Sequence, residues 1–166
     1  GSYIEDLRKR VKNGDAEKIG EAAAKIILEE MIKPSIKRMG IKFDNWFSEK
    51  SLHEKDEIKK ILKWLKNNNL SYEKDGAIWF KSTQFGDDKD RVLVKEDGEK
   101  TYFASDVAYL KNKFKRGFQK LIFFLGADHY GYVNRVEAAA EALGYKKEQV
   151  DIIIMQLVAI KWAGEK

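Results

Sequence analysis

Two apolar runs, one on either side of a helix-length segment, set the strongest limit on how this chain folds. Residues 119–125 (QKLIFFL) and 150–157 (VDIIIMQL) are apolar without alternation, as in strands covered on both faces. Between them lie a loop at 126–131 (GADHYG) and an alanine-rich stretch at 132–143, closed by Gly144. That stretch reads as a helix. Strand, helix and strand in so short a span form a βαβ unit, so the two strands run parallel. Ligands of open parallel sheets bind beyond the carboxyl ends of the strands. Two segments fall there: Gly126-Ala127-Asp128-His129, and Gln156-Leu157-Val158.

Upstream, the spacing predicts helix over 3–39, interrupted at Gly14-Asp15, where Asp15 is a candidate N-cap. Ile19, Ala23, Ile26, Ile27 and Met31 share a face. Pro34 is expected to kink or restart this helix, and Gly40 to close it. Residues 41–52 (IKFDNWFSEKSL) read as a strand or extended link, and 54–67 as an amphipathic helix on Ile58, Ile61, Leu62 and Leu65. Hairpins are predicted over 72–82 around Asp75-Gly76 and over 91–103 around Asp97-Gly98. The intervening FGDDKD at 85–90 reads as a solvated turn, its charge balanced by Lys89 and Arg91. Residues 106–115 read as helix, stopped near Gly117.

Composition removes several function classes. The chain has 166 residues and no cysteine, so disulfides and thiolate metal sites are excluded. The two histidines, His53 and His129, lack the carboxylate spacing of a zinc site. No apolar run approaches the roughly 20 residues of a membrane span, and no signal-peptide pattern opens the sequence. Neither a phosphate-cradling glycine loop nor a nucleophile elbow is present. The net charge of +5 favours phosphate-bearing partners weakly and equally describes a lysine-rich solubilising surface.

Several polar residues have both a structural and a functional reading. Asp128 caps the next helix or accepts from ribose hydroxyls, beside a glycine that lets a ligand approach backbone. Tyr102 and Asp106, four residues apart, are a core tyrosine and an N-cap (Ser105 being the alternative cap), or a carboxylate and ring that clasp a guanidinium. Glu49 is a surface charge or a member of the same site.

Taken together, FDNWFSEKSL, YEKDGAIWFKSTQFGDDKDRVLVKEDG, TYFASDVAYLKNKFKRGF and GADHYGYVNRVEAAAEALGY followed by MQLV resemble the arginyl-tRNA synthetase family. Their order and spacing match across nearly the whole chain. The resemblance implies an α/β, partial Rossmann-like class I synthetase fold with a parallel βαβ unit, an antiparallel hairpin insertion and an N-terminal helical segment. It implies a cytoplasmic enzyme that forms arginyl-adenylate from L-arginine and ATP, with Mg2+ accompanying the ATP and no structural metal, and passes arginine to tRNA(Arg). Members typically require tRNA even for the first step.

By the same resemblance Glu49, Tyr102, Asp106 and His129 bind arginine. Gly126 and Asp128 meet the adenosine ribose, and Gln156, Leu157 and Val158 lie where backbone meets adenine. Leu110 stands where the family usually has histidine, which removes a polar role there. Neither the HIGH-type nor the KMSKS-type motif is in the sequence; the first is expected before residue 1, and the second just after 163–166 (AGEK). The chain is therefore expected to be a fragment, inactive alone, comprising a helical segment (1–70), a hairpin insertion (71–104) and a Rossmann-like part (105–166). Two other readings stay open: a non-catalytic arginine- or nucleotide-binding module, and a basic RNA-binding domain.

Overall fold

The computed structural model describes residues 3–11 and 14–159. Residues 1–2 and the 163–166 segment fall outside them. The chain forms two compact units, Gly1–Phe47 and Ser48–Lys166.

The first unit contains α1 (Tyr3–Arg10), α2 (Ala16–Ile26) and α3 (Lys33–Arg38), with a π-helical turn, Ile27–Ile32, between the last two. Asp15 caps α2 by accepting from the Lys18 amide. Pro34 falls in the first turn of α3. The α-helix restarts there as expected, after the π turn, with the proline in the opening positions where its missing amide costs least. Gly40, at φ +74°, closes α3 in the left-handed conformation, and the Ile41 amide returns to the Ile36 carbonyl. Arg10 and Glu30 join α1 to the π turn through two hydrogen bonds of 2.7 and 2.5 Å. Leu7 is the one buried side chain among the described residues of this unit.

The second unit opens with α4 (Lys50–Glu54) and α5 (Glu57–Asn67). No strand forms over 41–52; Lys50–Glu54 is helical and buries Leu52. Helix α5 buries Ile58, Ile61 and Leu65 along the predicted face. A meander follows: β1 (Ser71–Lys74), β2 (Ala77–Phe80) and β3 (Arg91–Val94), all antiparallel. Asp75 and Gly76 both take positive φ at the first turn, 51° and 73°, as a two-residue hairpin requires. The second predicted hairpin is reduced to a single bridge, Val94 to Lys100, because helix α6 (Tyr102–Lys115) begins at once.

Thr101, not Ser105 or Asp106, is the N-cap of α6. Its oxygen accepts from the Ala104 amide while its hydroxyl donates to the Val92 carbonyl at 2.8 Å. The helix turns Phe103, Val107, Leu110 and Phe114 into the core and packs on α5, β3 and α7 (Val133–Ala142). The alanines Ala138, Ala139, Ala140 and Ala142 of α7 are all buried; such small residues allow close approach.

Strands β4 (Leu121–Gly126) and β5 (Val150–Met155) pair in parallel over six positions, from Leu121 with Val150 to Gly126 with Met155. The βαβ unit is as expected, but the burial of β4 on both faces is not. Ile122 and Phe124 are 54% and 67% exposed, and Ile153 and Met155 are exposed on the neighbouring strand. The apolar run records a face that nothing in the described residues covers.

The FGDDKD turn also departs from expectation. The Asp87 side chain is fully buried, and Arg91 Nε and Nη2 donate to its two oxygens at 2.7 and 2.6 Å, with Nη2 also contacting Asp88. Burial alone would raise the Asp87 carboxyl, but the Arg91 and Asp88 hydrogen bonds bring it down to about 2. The depressed value makes its contribution to stability present above the ordinary carboxylate pKa of 3.8 and lost as pH falls through about 2. Asp87→Asn, which leaves the buried Arg91 with Asp88 as its remaining ion-pair partner, should destabilise the chain by about 1–3 kcal/mol at pH 7. Urea unfolding of both proteins checks this, and the gap should narrow as the pH is lowered toward 2.

Candidate functional site

The predicted site residues fall into three neighbouring groups. Helix α6 supplies Tyr102 and Asp106 from its first turns, both placed by the Thr101 anchor. Tyr102 is 88% exposed. With Glu49, His53, Glu99 and Lys100 it lines a cavity of about 230 Å3. Asp106 faces the other way, into a cavity of about 210 Å3 lined also by Tyr109, Lys113, Phe123 and Tyr132. Tyr102 and Asp106 therefore flank the start of α6 and line different cavities. Glu49 is the connection: it lines the Tyr102 cavity, yet its charge acts on Asp106.

Asp106 is held above the ordinary carboxylate range. Burial is the largest cause and the Glu49 charge adds to it, while the neighbouring Tyr132 and the charges of Lys113 and Arg135 oppose it. Among the described residues neither Asp106 nor Glu49 has an ion-pair partner. The native cations of the cavity are placed on rings instead. Lys113 Nζ lies 4.2 Å from the Tyr109 ring centre and 4.1 Å from that of Phe123, and burial, then Arg116, bring its ammonium down to about 8. The Arg135 guanidinium lies 5.3 Å from the Tyr132 ring centre. Leu110 is buried in the same wall.

The third group sits at the carboxyl ends of the parallel strands. Gly126 ends β4 opposite Met155, so Gln156, Leu157 and Val158 emerge beside it. Leu157 is 99% and Val158 86% exposed. Residues Ala127–Tyr132 form a 3-10 turn into α7, and neither this turn nor α7 has a side-chain N-cap bond at its start. Asp128 is thus no helix cap. Its Oδ1 folds back over Gly126, so close that a Cβ there would lie 2.6 Å away. A side chain there would push the exposed Asp128 carboxylate aside. His129 Nε2 is 3.6 Å from Asp128 Oδ2, and its ring meets Tyr132 edge-on at 6.2 Å. His129 lines neither cavity and reaches Asp106 only through Tyr132. The sequence reading overlooked Tyr132, Lys113 and Arg135. The only signal for them was spacing: Lys113 follows Asp106 by two helical turns, and Tyr132 and Arg135 share a face at the start of α7.

Residues 4–160 match the family described as tRNA synthetases class I (R), catalytic domain. The chain belongs to that family. It is 51% identical over 137 residues to arginine–tRNA ligase 1 of Halalkalibacterium halodurans, covering 82% of this chain and 25% of that protein. It is 50% identical over 148 residues to the arginine–tRNA ligase of Carboxydothermus hydrogenoformans, covering 87% and 27%. A crystal structure from Campylobacter jejuni, assigned to arginyl tRNA synthetase, superimposes with a TM-score of 0.82 at 40% identity, over 95% of this chain and 36% of that one. The arginyl-tRNA synthetase of Plasmodium falciparum shares the fold, with a TM-score of 0.70 at 15% identity. The class I synthetase α/β fold is thereby established, and the chain spans about a quarter of the length of these curated relatives.

A desolvated carboxylate with no cation weakens the fold that holds it. Because Asp106 binds its proton more tightly in the folded state, its ionised form costs stability above the folded pKa. Asp106→Asn should therefore raise the melting temperature at pH 8. The gain should shrink as the pH is lowered and the wild-type carboxyl takes up its proton; calorimetric scans at pH 8 and pH 4 check this.

Proposed function

We propose that this chain is the arginine- and adenosine-binding part of an arginine–tRNA ligase. Such an enzyme joins the carboxylate of L-arginine to the α-phosphate of ATP, releases pyrophosphate, and passes the arginyl group to tRNA(Arg) in the cytoplasm. The observation that carries the reading is the Asp106 carboxylate: half-buried, lining a cavity with Tyr109, Phe123 and Tyr132, and without an ion-pair partner among the described residues, with Glu49 on the neighbouring cavity also lacking one. Such a carboxylate suits a cation from outside, and the planar guanidinium is the cation that two carboxylate oxygens and an aromatic ring grip best. Asp106 would take the guanidinium, with Glu49 adding negative potential from the neighbouring cavity. Tyr102 and His129 complete the arginine set at the margins of the two cavities.

At the strand ends, Gly126 and Asp128 would meet the ribose, and the backbone of Gln156, Leu157 and Val158 the adenine. Among the described residues no group of three acidic or histidine side chains could hold a metal. The Mg2+ of the reaction would therefore be held through the ATP phosphates. By role the chain divides into the helical segment 1–70, the hairpin insertion 71–104 and the Rossmann-like part 105–166. The alternative of a basic RNA-binding domain is less well supported, since Lys59, Lys60, Lys66, Lys95, Lys115 and Lys147 are each paired with a carboxylate.

Titration calorimetry of the chain with L-arginine tests the reading. Asp106→Asn should weaken binding at least tenfold, the scale of one charge-assisted contact of about 1.5–3 kcal/mol. Glu49→Gln should weaken it less, because Glu49 is the more exposed member. Equal binding by all three proteins would sink the assignment. Lacking both signature motifs, the chain alone should show no arginine-dependent pyrophosphate exchange, even with tRNA(Arg) present.

A further inference from the structure

We propose that the end of the first unit is an RNA-contacting surface, where an unpaired base stacks at the Phe43–Trp46 ring pair while Lys37 and Lys42 hold neighbouring phosphates. That the strand is RNA rests on the proposed function. The surface itself is read from the first unit alone and shares no residue with the arginine and adenosine sites.

The chain builds this surface locally. Gly40 turns it back at the end of α3, so residues 41–46, which form neither helix nor strand, lie against that helix. The Phe43 and Trp46 ring centres are 5.0 Å apart and tilted by 59°. Both rings are exposed, as are Met39 and Ile41. With Lys33, Lys37 and Lys42 the rings line a cleft of about 400 Å3, within the ~300–1,000 Å3 range of small-ligand sites. A single exposed apolar side chain is ordinary, whereas a contiguous patch with a polar rim marks a binding surface.

Charge decides what fits it. Lys33 is matched within the chain: its Nζ donates to Glu29 at 2.6 Å and lies 5.3 Å from the Trp46 ring centre. Lys37 and Lys42 are exposed and have no ion-pair partner among the described residues. Arg38 adds a further exposed cation, its Nη2 donating to the Ser35 hydroxyl. Asp44 is the one acidic residue within 33–46. An apolar protein partner would match the rings but bury ammonium groups unpaired, at a cost. A nucleic-acid strand offers both halves, a π-face for the rings and phosphate oxygens for the lysines. The strand must be unpaired, because a duplex keeps its base faces stacked inside.

Fluorescence anisotropy of the full chain tests the proposal. The probe is a labelled single-stranded RNA of about 12 nucleotides, within the ~4–16 spanned by single-strand sites. Binding is expected at about 50 mM salt, weakening with a log–log slope of about −1.4, for two phosphates at about −0.7 each. Trp46→Ala should weaken it about fivefold or more, the scale of one stacked base, and Trp46→Phe should restore most of the loss. Lys37→Gln with Lys42→Gln, both on the surface, should remove most of the salt slope. Lys59→Gln with Lys60→Gln, whose ammonium groups are already held by carboxylates, should change neither quantity. The proposal is overturned if the RNA does not bind, if Trp46→Ala binds it as the wild type does, or if the lysine pair leaves the slope intact. It is equally overturned if the same sequence as a duplex, or polyglutamate of equal length, binds as tightly, or if the DNA strand binds more tightly. The assay contains no arginine, so failure of the arginine site leaves these results standing, and failure here leaves that site standing.

Discussion

Thr101 fastens the first turn of α6 to β3, donating its hydroxyl to the Val92 carbonyl while its oxygen accepts from the Ala104 amide. That small knot determines where the helix begins, and the rest of the unit follows from it. One face of α6 enters the core through Phe103, Val107, Leu110 and Phe114. Starting at Tyr102, the same helix leaves that tyrosine in solvent and carries Asp106, one turn further on, to the edge of the core. A start one residue later would turn every α6 side chain by about 100° and move the carboxylate off the cavity.

What could be read from the sequence follows the range of the interactions involved. The Asp75-Gly76 turn, the Asp15 cap and the Gly40 closure depend on neighbours a few residues away, and each is where local chemistry predicts it. The βαβ unit depends on one period change and is equally legible. The N-cap of α6 was misjudged because Thr101, Ser105 and Asp106 are all good caps. Only the long-range bond to Val92 selects the first. The helical turn at Lys50–Glu54 was missed because it depends on burying Leu52 against elements far along the chain. In the candidate site, Asp106 and Glu49 carry signals a sequence can show, whereas Tyr132 reads as an ordinary aromatic at a helix start.

The exposed face of β4 and β5 belongs to the same lesson. Continuous apolar residues predict burial on both sides, and the exposure of Ile122, Phe124, Ile153 and Met155 contradicts that within this chain. The chain spans about a quarter of the relatives' length, and nothing among its described residues covers this face. Hydrophobic pattern reports the environment in which a segment was selected. It need not be the one that 166 residues provide.

Two buried or half-buried aspartates show how one side chain serves opposite ends. Asp87 is saturated: Arg91 grips both its oxygens, and the carboxyl falls to about 2 despite full burial. The pair closes the loop between β2 and β3 and leaves nothing for a ligand. Asp106 has the same carboxyl group, is half-buried and has no ion-pair partner among the described residues, and its carboxyl rises instead, chiefly through burial. The first arrangement adds to stability; the second subtracts from it and keeps an unmet demand for a cation. The Arg91–Asp87 pair thus displays, inside the protein, the contact that we propose Asp106 makes with an arginine from outside. A carboxylate meant for the fold is given its cation by the chain. On the proposed reading, a carboxylate meant for a substrate is left without one.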